Sequence, residues 1–136
     1  MQSPGYSGTP LEKELGIVAG IHVVTISAPE NYAELLSPVP IGVRFAKYVS
    51  PATGLVHLFA TRRAVLSKQL ALLRSSIEGS CVIWVSWPKR SSKVPTDITD
   101  QTIREVALPL GLVDIKVCAV DEVWSGLRLV IRKELR

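Results

Sequence analysis

A chain of 136 residues with 47% hydrophobic residues has room for one domain and little more. Its 16 Lys and Arg against 12 Asp and Glu leave a formal charge of +4, and the mean hydropathy is +0.28. That balance excludes disorder, and the apolar runs fall far short of the roughly 20 residues of a membrane-spanning helix. The charge is uneven: three basic and four acidic residues give −1 over residues 1–60, and thirteen basic and eight acidic give +5 over residues 61–136. Such a mild bias suits a small anion and is far from the density of a nucleic-acid-binding arm.

Residues 1–8 are small and polar and read as an extended surface segment, without the basic start and apolar core of a secretory signal. Thr9, Pro10 and Glu12 then spell an N-cap, a first helical residue and a capping box. The short helix they start carries Leu11 and Leu15 on one face and ends at Gly16, a lid over one edge of the core. Residues 21–27 (IHVVTIS) are nearly continuous apolar and β-branched sequence, the pattern of a strand buried on both faces. A short helix starts near Ala28, Pro29 and Glu30, with Tyr32, Leu35 and Leu36 on one stripe, and Pro38 stops it. Residues 43–48 alternate loosely and suit an edge strand.

Residues 55–60 (LVHLFA) form a second buried run, and Thr61 is placed to cap the helix behind it, in which Leu66, Leu70, Leu73 and Ile77 recur at helical spacing before Gly79. Residues 81–87 (CVIWVSW) are the third buried run. After the polar loop 88–97, Thr99 is placed to cap another helix, with Ile98 and Ile103 as a hydrophobic staple and Val106, Ala107 and Leu110 facing inward. Pro109 bends its last turn and Gly111 closes it. Val113, Ile115, Val117 and Ala119 alternate with Asp114 and Lys116 in a half-exposed strand, a turn is expected at Trp124-Ser125-Gly126, and Leu127, Leu129 and Ile131 continue as the second arm of an antiparallel hairpin. Strands alternating with helices predict one α/β layer domain over residues 1–136 with a mostly parallel sheet. One link conflicts with that pattern. Only residues 49–54 separate the second strand from the third, fewer than the ten or more of a parallel crossover. Either the second strand is shorter than drawn or that pair is antiparallel. Cys81 and Cys118 lie in apolar runs with no Cys-x-x-Cys spacing and no nearby His, which excludes a metal site and reads as inert thiols in a reducing cytoplasm.

From residue 55 onward, the order strand, helix, strand, long loop, helix and closing hairpin resembles the C-terminal half of a class I S-adenosylmethionine-dependent methyltransferase, in which the last strand inserts antiparallel beside its predecessor. The strings GYSGTPLEKELGI (5–17), WVSWPK (84–89), VPTDIT (94–99) and VCAVDEVWSGL (117–127) resemble more closely an uncharacterised bacterial family, domain of unknown function 3052, over almost the whole chain. That family has no function to carry over. The resemblance implies a three-layer Rossmann-like sandwich, a shortened methyltransferase topology of six strands in the order 2-1-3-4-6-5 with the sixth antiparallel. It departs from the methyltransferase pattern at the cofactor. In that fold a glycine-rich loop follows the first strand and an acidic residue ends the second. Here the loop is Ser27-Ala28-Pro29-Glu30-Asn31, without glycine, and the second strand carries Lys47 and Tyr48. The dinucleotide fingerprint and the phosphate-binding loop are absent too, so no cofactor is expected from the motifs.

Open α/β sheets bind ligands beyond the carboxyl ends of their strands. The best candidate site is therefore the loop after the third buried run, where Trp87, Lys89, Arg90 and Lys93 emerge ahead of Thr96 and Asp97, a set suited to an anionic or planar ligand, with a solvated basic loop and a core-packed tryptophan as the competing reading. Asp121, Glu122 and Trp124 form a second cluster, with a structural turn as the competing reading, and either carboxylate can meet Lys89 or Lys93 if the loops touch. Ser27, Pro29 and Glu30 line the switch in strand order, with helix capping as the competing reading. His22 and His57 both fall in central strands and read as satisfied or strand-end histidines, paired on one face if those strands are adjacent, with no nucleophile evident beside them. Ser7 lacks the setting of a nucleophile elbow. The expectation is a non-catalytic domain that binds a small anionic or nucleotide-like ligand or a protein. The alternative is a divergent methyltransferase-like enzyme lacking the glycine loop. A homodimer through a sheet edge or a helix face is an expected partner; a membrane and nucleic acid are not.

Overall fold

The computed structural model describes residues 9–136, so the expected extended segment and Ser7 lie outside the described residues. Six strands form one sheet in the order β2-β1-β3-β4-β6-β5. They are β1 (His22–Ile26), β2 (Arg44–Ala46), β3 (Thr53–Phe59), β4 (Val82–Pro88), β5 (Leu112–Ala119) and β6 (Trp124–Ile131). The first four run parallel, and β6 lies antiparallel between β4 and β5. The expected strand order and the hairpin both hold.

The two central strands read as continuous apolar runs because each residue meets a helix layer. Val56, Leu58, Ile83 and Val85 pack on Leu66, Leu70 and Leu73 of α3 (Arg63–Ser76) and on Ile103 and Ala107 of α4 (Asp100–Ala107). On the other face Leu55, Phe59 and Trp84 pack under α1 (Leu11–Leu15) and α2 (Tyr32–Leu36). The buried Trp84 indole donates to the Leu15 carbonyl at 2.8 Å and so fastens α1 to the sheet. Gly16, at φ 81°, closes α1 in the left-handed conformation that glycine tolerates.

The conflict between β2 and β3 resolves through length. Arg44 and Thr53 both flank His22, one on each side of β1. With β2 only three residues long, the return path is one short step down and two strand spacings across, about 10 Å. Residues 47–52 cover it without a helix.

Four local expectations change. Pro10, not Thr9, is the N-cap of α1, and no side chain caps it. Arg62, not Thr61, precedes α3, and its first free N–H, on Arg63, is taken by the Asp97 carboxylate at 2.6 Å. The hairpin turn falls at residues 120–123, and Trp124 already belongs to β6. In β5 a bulge between Asp114 and Lys116 places Val113 opposite Val130 but Val117 opposite Leu127. Those partners lie three positions apart, so the expected single apolar face of β5 is split, and Ile115 and Val117 are left 53% and 56% exposed. The capping of α4 by Thr99 holds, with Thr102 completing the box, and Ile98 and Ile103 are both buried as the staple requires.

Candidate functional site

Chain connections leave β1 toward β2 on one side and reach β3 on the other, so the switch in strand order lies between β1 and β3. The loop over β1 begins at Ser27, whose φ is 59°. A non-glycine residue in this left-handed region costs roughly 1–2 kcal/mol. The Tyr32 N–H donates to the Pro29 carbonyl at 3.0 Å, and Asn31 is the N-cap of α2 without a side-chain bond. The capping roles considered for Ser27 and Pro29 therefore do not arise. Ser27 and Glu30 are exposed. Lys47 and Tyr48 follow the end of β2 and are exposed as well.

A buried polar chain lies beneath this crevice. The Tyr32 hydroxyl is 2.8 Å from His57 Nδ1, and His57 Nε2 is 2.7 Å from the Ser86 hydroxyl. His57 and Ser86 are completely buried. Burial pushes the His57 imidazole down to about 3, so it is neutral near pH 7. Burial also raises the Tyr32 phenol. One imidazole nitrogen donates and the other accepts, and hydroxyls at both ends can answer either arrangement. Phe59 stacks on His57 at 4.3 Å, and Trp124 meets Phe59 edge-on at 5.1 Å. Two sequence readings need correcting. A serine does stand beside His57, although with no exposed surface it ties α2 to β4 and is closed to a substrate. The two histidines are also not paired: His57 lies opposite Thr25, while His22 lies at the other end of β1.

The loop after β4 is built from its own hydrogen bonds. The Ser92 hydroxyl donates to the Lys89 carbonyl at 2.6 Å. The Thr96 hydroxyl donates to the Thr61 carbonyl at 2.6 Å, and its oxygen accepts the Ile98 N–H at 3.1 Å. Lys89 N–H donates to the Val123 carbonyl at 2.6 Å, so this loop and the hairpin turn meet through backbone. Asp121 Oδ1 accepts the N–H groups of Val123 and Trp124, both at 2.8 Å, which is the structural turn considered from the sequence. Glu122 is exposed. A groove of about 470 Å³ opens beside this loop, lined by Trp87, Pro88, Arg90, Lys93, Thr96 and Ile98 among others.

The residues singled out from the sequence thus divide. Trp87, Lys93 and Thr96 share the groove. Thr96 and Asp97 hold the loop and α3 in place. Asp121 and Glu122 lie in the adjoining hairpin turn, Trp124 starts β6, and Lys89 joins the loop to that turn through its backbone. Ser27, Pro29 and Glu30 lie over β1. Sequence reasoning missed the partnership of Tyr32 and Ser86 with His57; the available signal was a His and a Ser inside two otherwise apolar runs. Among the described residues no three His, Cys, Asp or Glu side chains are grouped to hold a metal ion. Burial pushes the Cys81 thiol up to about 11, and burial with the nearby Glu14 pushes Cys118 up to about 12, so neither is a ready thiolate. No helix among the described residues is long and apolar enough to cross a membrane.

No protein-family model and no curated protein sequence matches the chain. Solved structures do share its fold. A SAM-dependent methyltransferase from Aquifex aeolicus superposes with a TM-score of 0.63 at 11% identity, over 89% of this chain and 87% of its own. Fibrillarin from Aeropyrum pernix, solved with natively bound S-adenosyl-L-methionine, gives 0.59 at 10% identity over 93% and 70%. The ribosomal protein L11 methylase from Lactobacillus delbrueckii subsp. bulgaricus gives 0.53 at 10% identity over 90% and 75%. The fold is that of class I methyltransferases. This corrects the expectation of a non-catalytic binding or interaction domain: neighbours that are methyltransferases favour the enzyme reading, which the sequence had placed second.

Proposed function

We propose that this chain is a divergent S-adenosylmethionine-dependent methyltransferase-like enzyme whose donor lies over the carboxyl ends of β1 and β3. The observation that carries this reading is Ser27. At the switch point of a sheet with this strand order, the chain holds a serine at φ 59°, the backbone shape for which a glycine would be chosen. Unrelieved strain of this kind concentrates at functional sites. The turn has the left-handed backbone step that a glycine would supply, which supports an adenosyl donor over it. The end of β2 fits less well, because Lys47 and Tyr48 stand where a carboxylate would accept ribose hydroxyls. Glu30, exposed in the loop over β1, is the carboxylate left for that task. Bound there, the donor would supply an electrophilic methyl group. The chain's own contribution is positioning: the Tyr32–His57–Ser86 chain locks the start of α2, and with it loop 27–31, to the ends of β3 and β4.

Membership in domain of unknown function 3052 rests on the four sequence strings alone, and we retain it as part of this proposal. A reducing cytoplasm belongs with it, supported by two free cysteines. Calorimetric titration with S-adenosylmethionine and S-adenosylhomocysteine tests the reading, together with thermal unfolding. A ligand at 100 times its Kd adds about 2.7 kcal/mol, a rise of about 10 °C at this chain length. Ser27→Gly should keep binding and raise stability by about 1 kcal/mol, and Ser27→Val should lose both. No heat and no rise in Tm with either ligand at about 1 mM would overturn the proposal.

A further inference from the structure

We propose that the groove beyond the carboxyl end of β4 binds a small planar anion, an aromatic ring bearing a carboxylate or a phosphate. Its volume of about 470 Å³ falls within the range of small-molecule sites. Three features set the ligand class. Trp87 is half-buried, packed on the core, and lines the groove, where an indole suits stacking. Pro88 and Ile98, both buried, give the groove an apolar floor. Arg90 and Lys93 are exposed in its lining, and neither has an ion-pair partner among the described residues. Asp100 also lines the groove, and its carboxylate pairs at 2.8 Å with Arg104, which it shares with Asp114 at 3.0 Å. Against that one partly offset carboxylate the lining offers two cations without ion-pair partners among the described residues, beside an indole.

The loop's polar groups point the same way. The hydroxyls of Ser92 and Thr96 and the carboxylate of Asp97 are engaged in holding the loop, so recognition falls to the indole and the two cations. Those bonds fix the groove in the free protein, which spares a ligand the cost of ordering it. The backbone of Lys93 is itself held at φ 63°. The groove and the crevice over β1 open on the same end of the sheet, and β4 lies two strand spacings from β1, about 10 Å. If the proposed donor site holds, this ligand is the methyl acceptor. That role rests on the preceding proposal, whereas the binding itself does not.

The test is calorimetry without any donor, using 1-naphthyl phosphate, 1-naphthoate, inorganic phosphate and neutral 1-naphthol. At least one naphthyl anion should bind with a Kd of about 1 mM or tighter, and naphthol and inorganic phosphate should each bind at least about tenfold more weakly. The phosphate and carboxylate arms identify the anion. The double variant Arg90→Gln, Lys93→Asn should weaken binding about tenfold or more with an unchanged Tm; asparagine tolerates the left-handed backbone at position 93. Trp87→Leu should weaken it by a similar factor. Absence of heat with both naphthyl anions, equal binding of inorganic phosphate, or full affinity in the double variant would overturn the proposal. Because no adenosyl ligand is present, failure of the donor site leaves this result readable.

Discussion

Acidification should destabilise this protein through His57 well before its carboxylates titrate. In the folded chain the imidazole is enclosed by Tyr32, Ser86 and Phe59, and burial lowers its pKa from 6.5 to about 3. The unfolded chain takes up a proton near pH 6.5 that the folded chain refuses. Stability is therefore at its full value above pH 6.5 and falls as the pH drops toward 3. Moving the imidazole from 6.5 to about 3 corresponds to about 5 kcal/mol over the whole window. Between pH 7 and pH 5 the expected loss is about 2 kcal/mol, a large part of the stability of a small domain. Urea unfolding at pH 7, 6 and 5 reads this as a falling midpoint at constant m. His57→Gln, which keeps hydrogen-bonding capacity without a titrating ring, should start less stable and lose the slope. A loss below about 0.5 kcal/mol in the parent, or the same slope in His57→Gln, would refute the reasoning.

Three further outcomes follow from the packing. Asp97→Ala should cost about 1 kcal/mol in urea unfolding by freeing the first N–H of α3, and Asp97→Asn should recover most of it. Thr99→Ala should cost a similar amount at α4, where the reciprocal bonds with Thr102 are lost. Gly126→Ala places a Cβ 3.2 Å from the Trp84 ring and 3.3 Å from Val120, both completely buried, and should lower stability by about 1–3 kcal/mol; a neutral result would mean the hairpin can shift there.

Much of the architecture was legible because local and global signals agree. The runs of β3 and β4 have no polar side to offer solvent and so had to be covered on both faces. Thr99, Ile98 and Ile103 mark the start of α4 through bonds and contacts within a few residues of chain. The elements that were misread depend on distant partners. Asp97 caps a helix 34 residues away in sequence. The β5 bulge splits an alternation that looked regular, because the register of β5 follows its pairing with β6. The functional order of preference was reversed for a related reason. A missing glycine looked like a missing site, whereas the fold, which only the assembled sheet displays, is shared with methyltransferases.

What the sequence determined by itself was the alternation of apolar runs and helical stripes, and with it the class of fold and the basic loop beyond β4, while the strand order followed from the resemblance to the methyltransferase pattern. Periodicity and end signals act over a few residues, where the chain's own chemistry is sufficient. Tertiary structure alone decided which polar groups are spent and which remain available. Thr96, Asp97 and Asp121 are consumed by bonds to other segments, His57 is sealed between Tyr32 and Ser86, and Arg90 and Lys93 are left facing the groove beside Trp87. A hydrogen-bond partner across the sheet leaves no local trace in sequence, because it is selected by packing and not by spacing.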